Sequence, residues 1–184
     1  MSKKDDRPKI RSTTIVAVKR DNTVALAGDG QVSLEHTVMK HNARKVRRLY
    51  QDKIIAGFAG SVADAQSLAD KFESKLEAAS GNLTRAAIEF AKEWRTDRIL
   101  RKLEAMMIVT DGERIYILSG DGNVIEPDDG VAAIGSGGNY AASAAKALVR
   151  NTTMSAKDIA MEAMRIAAET CVYTNDKVTV DVLP

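Results

Sequence analysis

The stretch KIRSTTIVAV, residues 9–18, decides how the chain is read. A charged, proline-containing leader, MSKKDDRPKIRS, occupies residues 1–12, and an apolar run begins at Thr13 with no helix cap and no turn signal between the two. Thr13-Thr14-Ile15-Val16 is a β-branched run, so a strand starts directly where the leader stops. Taken alone, such a junction is what a polar tail before a β-favouring segment looks like. A second reading is chemical. A threonine hydroxyl is unreactive near neutral pH until its proton is taken, and a free α-amine, with an ordinary pKa of about 7.7–8.0, can take it within the same residue. Cutting between Ser12 and Thr13 creates nucleophile and base together, and a leader that is removed need not pack.

Composition narrows the class. The chain has 184 residues, 45% of them hydrophobic and 28% charged, which fits one globular domain; with the leader set apart, residues 13–184 form it. The net charge of +2 provides no overall basic field for nucleic acid or an anionic membrane. A single cysteine, Cys171, rules out an intrachain disulfide framework and a thiolate zinc cluster, and two histidines, His36 and His41, supply a metallohydrolase poorly. The leader lacks the apolar centre of a secretory signal, and no segment approaches the ~20 apolar residues of a membrane span, so a cytoplasmic location is expected.

Strand-like TTIVAV and TVALAGDG are separated by an Asp21-Asn22 turn signal, and ARKVRRLY and KIIAGFAG are joined across Gln51-Asp52, giving about four opening strands. Alternation within ARKVRR puts Lys45 and Arg47 on one strand face. From Ser61, a plausible N-cap, apolar residues recur at helical spacing to Leu76, with Gly81 at the end; a second helical run uses Leu83, Ala86, Ala87, Phe90, Ala91 and Trp94. EAMMIVTDGERIYILSGDGNVIEP then alternates strands with Asp-Gly turns. VAAIGSGG is a strand ending in a glycine loop before the alanine-rich NYAASAAKALVR; Ser155 and Asp158 form a capping-box pattern ahead of AKDIAMEAMRIAAETC, and KVTVDVL closes as a strand. Segregated strand groups and helix pairs predict an α+β fold, a four-layer α/β/β/α sandwich.

The usual nucleophile signatures are missing: there is no G-x-S-x-G elbow and no H-E-x-x-H. Individually, AGDG is a turn, RKVRR a solvated strand face or a weak nucleic-acid patch, and GSGG a glycine loop that resembles a phosphate cradle without a Walker lysine. Together, TTIVAV, AGDGQV, NARKVRRLY, AGFAGSVADA, EWRTDR, LRKLEA, AIGSGG and YTN stand in an order and spacing that resembles the HslV (ClpQ) family, the threonine peptidase subunits of bacterial HslUV proteases. These are N-terminal-nucleophile hydrolases related to proteasome β-subunits. The resemblance runs from Thr13 essentially to the C-terminus.

The resemblance implies the sandwich fold and, position by position, a catalytic N-terminal Thr13; a buried Lys45 that keeps the α-amine unprotonated; Asp29 holding that lysine; Ser136 near the amine; and a Gly57 backbone N–H for the oxyanion. It further implies a sodium ion on the backbone carbonyls of Ala168, Cys171 and Thr174, although glycine is common in the family where this chain has Ala168. Two stacked hexameric rings are implied, capped by an HslU (ClpY) AAA+ ATPase that unfolds substrates and activates the peptidase; with no Walker motif here, ATP hydrolysis falls to that partner. Two rivals are a catalytically silent ring subunit of the same fold, which would lack the Thr/Lys/Asp set, and a nucleotide or nucleic-acid module built on the glycine loops. One departure stands out. Family members often carry little before the catalytic threonine except the initiator methionine, whereas here twelve residues precede it and no methionine follows Met1 until Met39. Residues 1–12 are therefore expected to be removed, autolytically or with assistance. Edman sequencing or intact mass of the purified protein is expected to show a chain beginning at Thr13; retention of Met1, or a start at Thr14, would exclude an N-terminal Thr13 nucleophile.

Overall fold

A computed structural model describes residues 10–11, 13–103 and 105–184, with the backbone alone for 10, 11 and 62. In chain order the elements are β1 (Ile10–Arg11), β2 (Thr14–Arg20), β3 (Thr23–Gly28), β4 (Val32–Leu34), β5 (Thr37–Lys40), β6 (Val46–Leu49), β7 (Ile54–Ala59), α1 (Val62–Ala78), α2 (Leu83–Thr96), β8 (Met106–Thr110), β9 (Ile115–Ser119), β10 (Val124–Ile125), β11 (Val131–Gly135), α3 (Gly138–Asn151), α4 (Ala156–Thr170) and β12 (Thr179–Leu183).

Two antiparallel sheets form the centre, one ordered β11-β2-β3-β12 and the other β10-β9-β8-β7-β6. The alternation of β2 shows how they are layered. Ile15 and Ala17 face the second sheet, where they join Leu26, Val46, Ile55, Ile108 and Ile134 in a core between the sheets. Val16 and Val18 face the other way, against Ala141, Ala145, Ile159, Ala163 and Met164 of α3 and α4. The outer face of the second sheet meets α1 and α2 through Phe58, Phe72, Phe90, Trp94 and Met107. Every β2 residue from Ile15 to Val18 is fully buried, as a strand covered on both faces requires. The result is the four-layer α/β/β/α sandwich expected from the segregated strand and helix pattern.

Local signals account for many boundaries. Asp21 and Asn22 both have positive φ, as a type I′ hairpin needs, and set Arg20 opposite Thr23. The Ser61 hydroxyl accepts the Asp64 N–H and the Ser155 hydroxyl accepts the Asp158 N–H, so both serines cap helices. Gly81, at φ +80, ends the turn after α1 and donates its N–H to the Leu76 carbonyl.

The opening of the chain differs from the sequence reading. The described residues hold seven strands before α1 rather than about four. QVSLEHTVMK forms a short hairpin, β4 and β5, whose second strand is exposed throughout; pairing rather than burial holds it, so hydrophobic periodicity does not reveal it. The leader also contributes: Ile10–Arg11 pairs antiparallel with β4, Ile10 opposite Leu34 and Arg11 opposite Ser33. The edge of β4 offers main-chain groups that an extended segment can satisfy whatever its side chains. The rest of the leader, including the Ser12–Thr13 bond, lies outside the described residues. Similarly, β6 begins at Val46, one residue after Lys45, which releases Lys45 from the alternation that would place it beside Arg47.

Trp94 is fully buried, packs against the Phe90 ring at 5.4 Å between centroids and donates its indole N–H to the Leu100 carbonyl. Trp94→Ala is expected to destabilise the fold by about 3–5 kcal/mol, read as a lowered urea midpoint.

Candidate active site

Thr13 stands immediately before β2, in line with Ile15 and Ala17, at the end of the gap between the two sheets, and is almost completely buried. It lines a pocket of about 160 Å³ together with Val32, Lys45, Phe58, Gly60 and Ala65. Thr14 points the opposite way, as strand alternation requires. Its hydroxyl accepts the Gly137 N–H at 2.9 Å and lies 2.7 Å from the Thr174 hydroxyl. Of the two threonines, only the first faces the pocket.

Asp29, fully buried at the end of β3, is the organising carboxylate. Its Oδ1 accepts the Thr14 N–H and the Lys45 ammonium, each at 2.8 Å, and its Oδ2 accepts the Gln31 N–H at 3.0 Å. The Lys45 ammonium also donates to the Gln31 carbonyl, and its side chain is only 8% exposed. Burial lowers the Lys45 pKa below its ordinary 10.5, while the charge and hydrogen bond of Asp29 act to raise it. RKVRR is thus no free basic face. Lys45 pairs with Asp29, Arg47 hydrogen-bonds Gln66, and Arg48 donates to Asp181 and the Val182 carbonyl.

The glycine loops make room for the protein's own chain. At Gly135, φ is +91° and a Cβ would lie 1.9 Å from the Thr13 carbonyl oxygen; at Gly137 a Cβ would lie 2.4 Å from Thr14 Oγ1 and 2.6 Å from Thr174 Oγ1. The chain between them therefore presses onto Thr13 and Thr14, and the Ser136 N–H donates to the Thr13 carbonyl at 2.8 Å. Ser136 is thereby brought next to Thr13 through its backbone.

Gly57 has a different place from the one expected of it. It sits within β7, opposite Val46 on one side and Ile108 on the other. A Cβ there would lie 2.6 Å from Ile15 and 2.9 Å from Leu26, so the absent side chain serves the close approach of the two sheets rather than of a substrate. Strand pairing on both sides leaves its N–H directed along the sheet. The glycine of the same block that does line the pocket is Gly60, at φ +144. AGFAGS contains both glycines, and only the register of β7 separates them.

Ala168, Cys171 and Thr174 gather at the end of α4. Ala168 is in its last turn, Cys171 is the C-cap, and the Thr174 N–H donates to the Cys171 carbonyl at 3.0 Å. Helix-end carbonyls lack intrahelical partners and carry the negative end of the dipole. The last turn of α4 has no basic side chain, whereas those of α1, α2 and α3 hold Lys75, Arg95 and Arg150. A larger cleft of about 630 Å³ at the start of α2 is lined by Thr84, Arg85, Glu89, Asp111 and Arg114 among others, mostly the charged residues of a solvated surface.

Two members of the site that sequence patterns did not single out are Gln31 and Asn175. Gln31 is buried and donates its side-chain amide to Ser33 Oγ and the Val172 carbonyl. Asn175 reaches Asp29 and Gly30 from the loop after α4. The blocks AGDGQV and YTN contain them, but nothing local marks them as partners.

Neutralising Asp29 leaves a desolvated ammonium without its counter-charge. Asp29→Asn is expected to cost about 3–5 kcal/mol near neutral pH, measured by urea unfolding. Lys45 then has a folded-state pKa further below its unfolded value, so the unfolded chain binds more protons in that window and the deficit should shrink as pH rises toward 10.5.

A family model described as Proteasome subunit matches residues 10–183. Among solved structures, eukaryotic HslV from Trypanosoma brucei is 50% identical, over 92% of this chain and 98% of that one, with a TM-score of 0.89. The BPH protein of Thiobacillus denitrificans shares the fold at 20% identity and a TM-score of 0.73, over 92% of this chain and 97% of that one; its complex with epoxomicin is similar at 21% and 0.74, over 92% and 97%. No helix among the described residues is long and apolar enough to cross a membrane. With Thr13, the buried Asp29–Lys45 pair and the GSGG loop set in a four-layer sandwich, the chain belongs to the proteasome-subunit family and is HslV-like within it.

Proposed function

We propose that this chain is a threonine endopeptidase subunit whose nucleophile is the hydroxyl of an N-terminal Thr13. The observation that carries the reading is convergence: Thr13 and Lys45 line one pocket, and the same Asp29 oxygen binds both Lys45 and the amide N–H of Thr14. In the processed chain, the Thr13 Oγ attacks the scissile carbonyl carbon as its proton passes to the Thr13 α-amine. The neighbouring Lys45 ammonium disfavours a second positive charge on that amine and so keeps the base available. The tetrahedral oxyanion is met by a backbone N–H; Gly60 at the pocket wall replaces Gly57 in this role. Collapse expels the leaving amine, which takes the proton back from the α-ammonium, and water then hydrolyses the Thr13 ester. Val32, Ala43, Phe58 and Ala65 give the pocket apolar walls that accept a mid-sized apolar side chain.

Residues 1–12 would be removed by cleavage of the Ser12–Thr13 bond. The pairing of Ile10–Arg11 with β4 is consistent with this arrangement, since Val32 of β4 also lines the pocket and removal of the leader frees a strand edge on which a substrate backbone can pair. A sodium ion held by the carbonyls of Ala168, Cys171 and Thr174 would supply a fixed charge that orders the loop after α4. The family relationship supports a cytoplasmic, double hexameric ring that receives unfolded protein from an HslU-type ATPase, ATP hydrolysis belonging to that partner.

Peptide hydrolysis by the processed chain, with and without the ATPase, should fall at least about a thousandfold in Thr13→Ala; undiminished activity would overturn the mechanism. Because burial lowers the Lys45 pKa, the alkaline limb of kcat/KM in the wild type should lie below pH 10.5.

A further inference from the structure

We infer that Asn175 is a positioning residue of this centre, a carboxamide clamp that sets Asp29 and Lys45 in register with each other. The inference rests on the threonine-peptidase reading above.

Asp29 and Lys45 arrive on different segments. Asp29 comes at the end of β3 and leads into Gly30; Lys45 comes at the end of the irregular stretch 41–45. These segments run in contact. The Ala43 N–H donates to the Gly30 carbonyl at 2.8 Å, and a Cβ on Gly30 would lie 2.4 Å from the His41 carbonyl oxygen. The Asn175 side chain joins them a second time. Its Oδ1 accepts the Gly30 N–H at 3.1 Å, and its Nδ2 donates to the His41 carbonyl at 2.8 Å. The same Oδ1 accepts the Lys177 N–H at 3.2 Å, and the Asn175 N–H points to Asp29 Oδ2 at 3.4 Å.

A side chain that must accept from one backbone and donate to another needs both halves of an amide. Aspartate has the shape without the donor, and its charge would face both the His41 carbonyl and Asp29; alanine has neither half. The preceding residue adds a second grip, because Thr174 Oγ1 meets Thr14 Oγ1 at 2.7 Å. Thr174-Asn175 thus holds Thr14 with one hydroxyl and, with one amide, the two segments that carry the ion pair. Asn175 acts through Asp29 and touches no reacting atom.

When the clamp is lost, Asp29 is held less firmly against a lysine that stays desolvated. The influence that raises the Lys45 pKa weakens while the one that lowers it remains, so Lys45 loses its proton at a lower pH. The test compares wild type, Asn175→Ala, Asn175→Leu and Thr13→Ala, each produced as a chain that begins at residue 13 and assembled, with a fluorogenic peptide amide. Asn175→Ala is expected to lower kcat about tenfold or more with KM within twofold, and to move the alkaline limb of the pH profile to lower pH. Asn175→Leu, close in size but with neither half of the amide, should shift in the same direction and carries the test if the alanine variant does not assemble. An unchanged kcat and pH limb, or a loss of activity that only tracks the loss of folded protein with no movement of the limb, would overturn the role of Asn175 while leaving Thr13 as nucleophile. Activity surviving in Thr13→Ala would instead overturn the threonine reading on which the inference rests.

Discussion

The interaction on which the rest depends is the buried pair of Asp29 and Lys45, 2.8 Å apart, with their side chains 0% and 8% exposed. A pair so withdrawn from water contributes little net stability, since desolvation of both charges offsets their attraction. What it contributes is position. The two oxygens of Asp29 meet the amides of Thr14 and Gln31 as well as the ammonium. The carboxylate therefore ties the start of β2, the turn after β3 and the segment before β6 to one point. A lysine held there in a low-dielectric setting exerts its charge on the neighbouring Thr13 more strongly than it would in water.

Much of the packing serves that convergence. Glycines at 30, 57, 135 and 137 stand where a methyl group would collide with backbone or with core side chains. Gly57 lets Ile15 and Leu26 close the gap between the sheets, and Gly135 and Gly137 let the loop before α3 lean on Thr13 and Thr14. Thr13 is thus backed by close-packed glycine loops on one side and borders the pocket on the other.

How much of this was legible in the chain itself varies with the range of the interaction responsible. Ser61 and Ser155 as caps, the Asp21-Asn22 hairpin and the amphipathic run from Leu83 to Trp94 are decided within a few residues, and each stands where the pattern put it. The β4–β5 hairpin and the short β1 were not legible, because main-chain pairing rather than a buried face defines them. Lys45 could not be read as buried from alternation: the strand begins one residue later, and its burial depends on a carboxylate 16 positions away. Gly57 and Gly60 are both glycines of AGFAGS, and only the register of β7 shows that the first is core and the second borders the pocket.

By itself the sequence determined the order of the elements, the segregation of strands from helices and the block pattern that marks the proteasome-like family, because hydrophobic period, cap chemistry and turn residues act over short distances along the chain. It also offered Thr13 as the candidate, through the ordered blocks rather than through the junction alone, which equally fits a polar tail before a strand. Only the tertiary structure decided which charged residues leave water, which glycine borders the pocket, and that Gln31, Thr174 and Asn175 complete the surroundings of Thr13 and Asp29. Those assignments rest on contacts between segments up to 160 positions apart, and no local preference encodes a distance that only the folded sheets bring to zero.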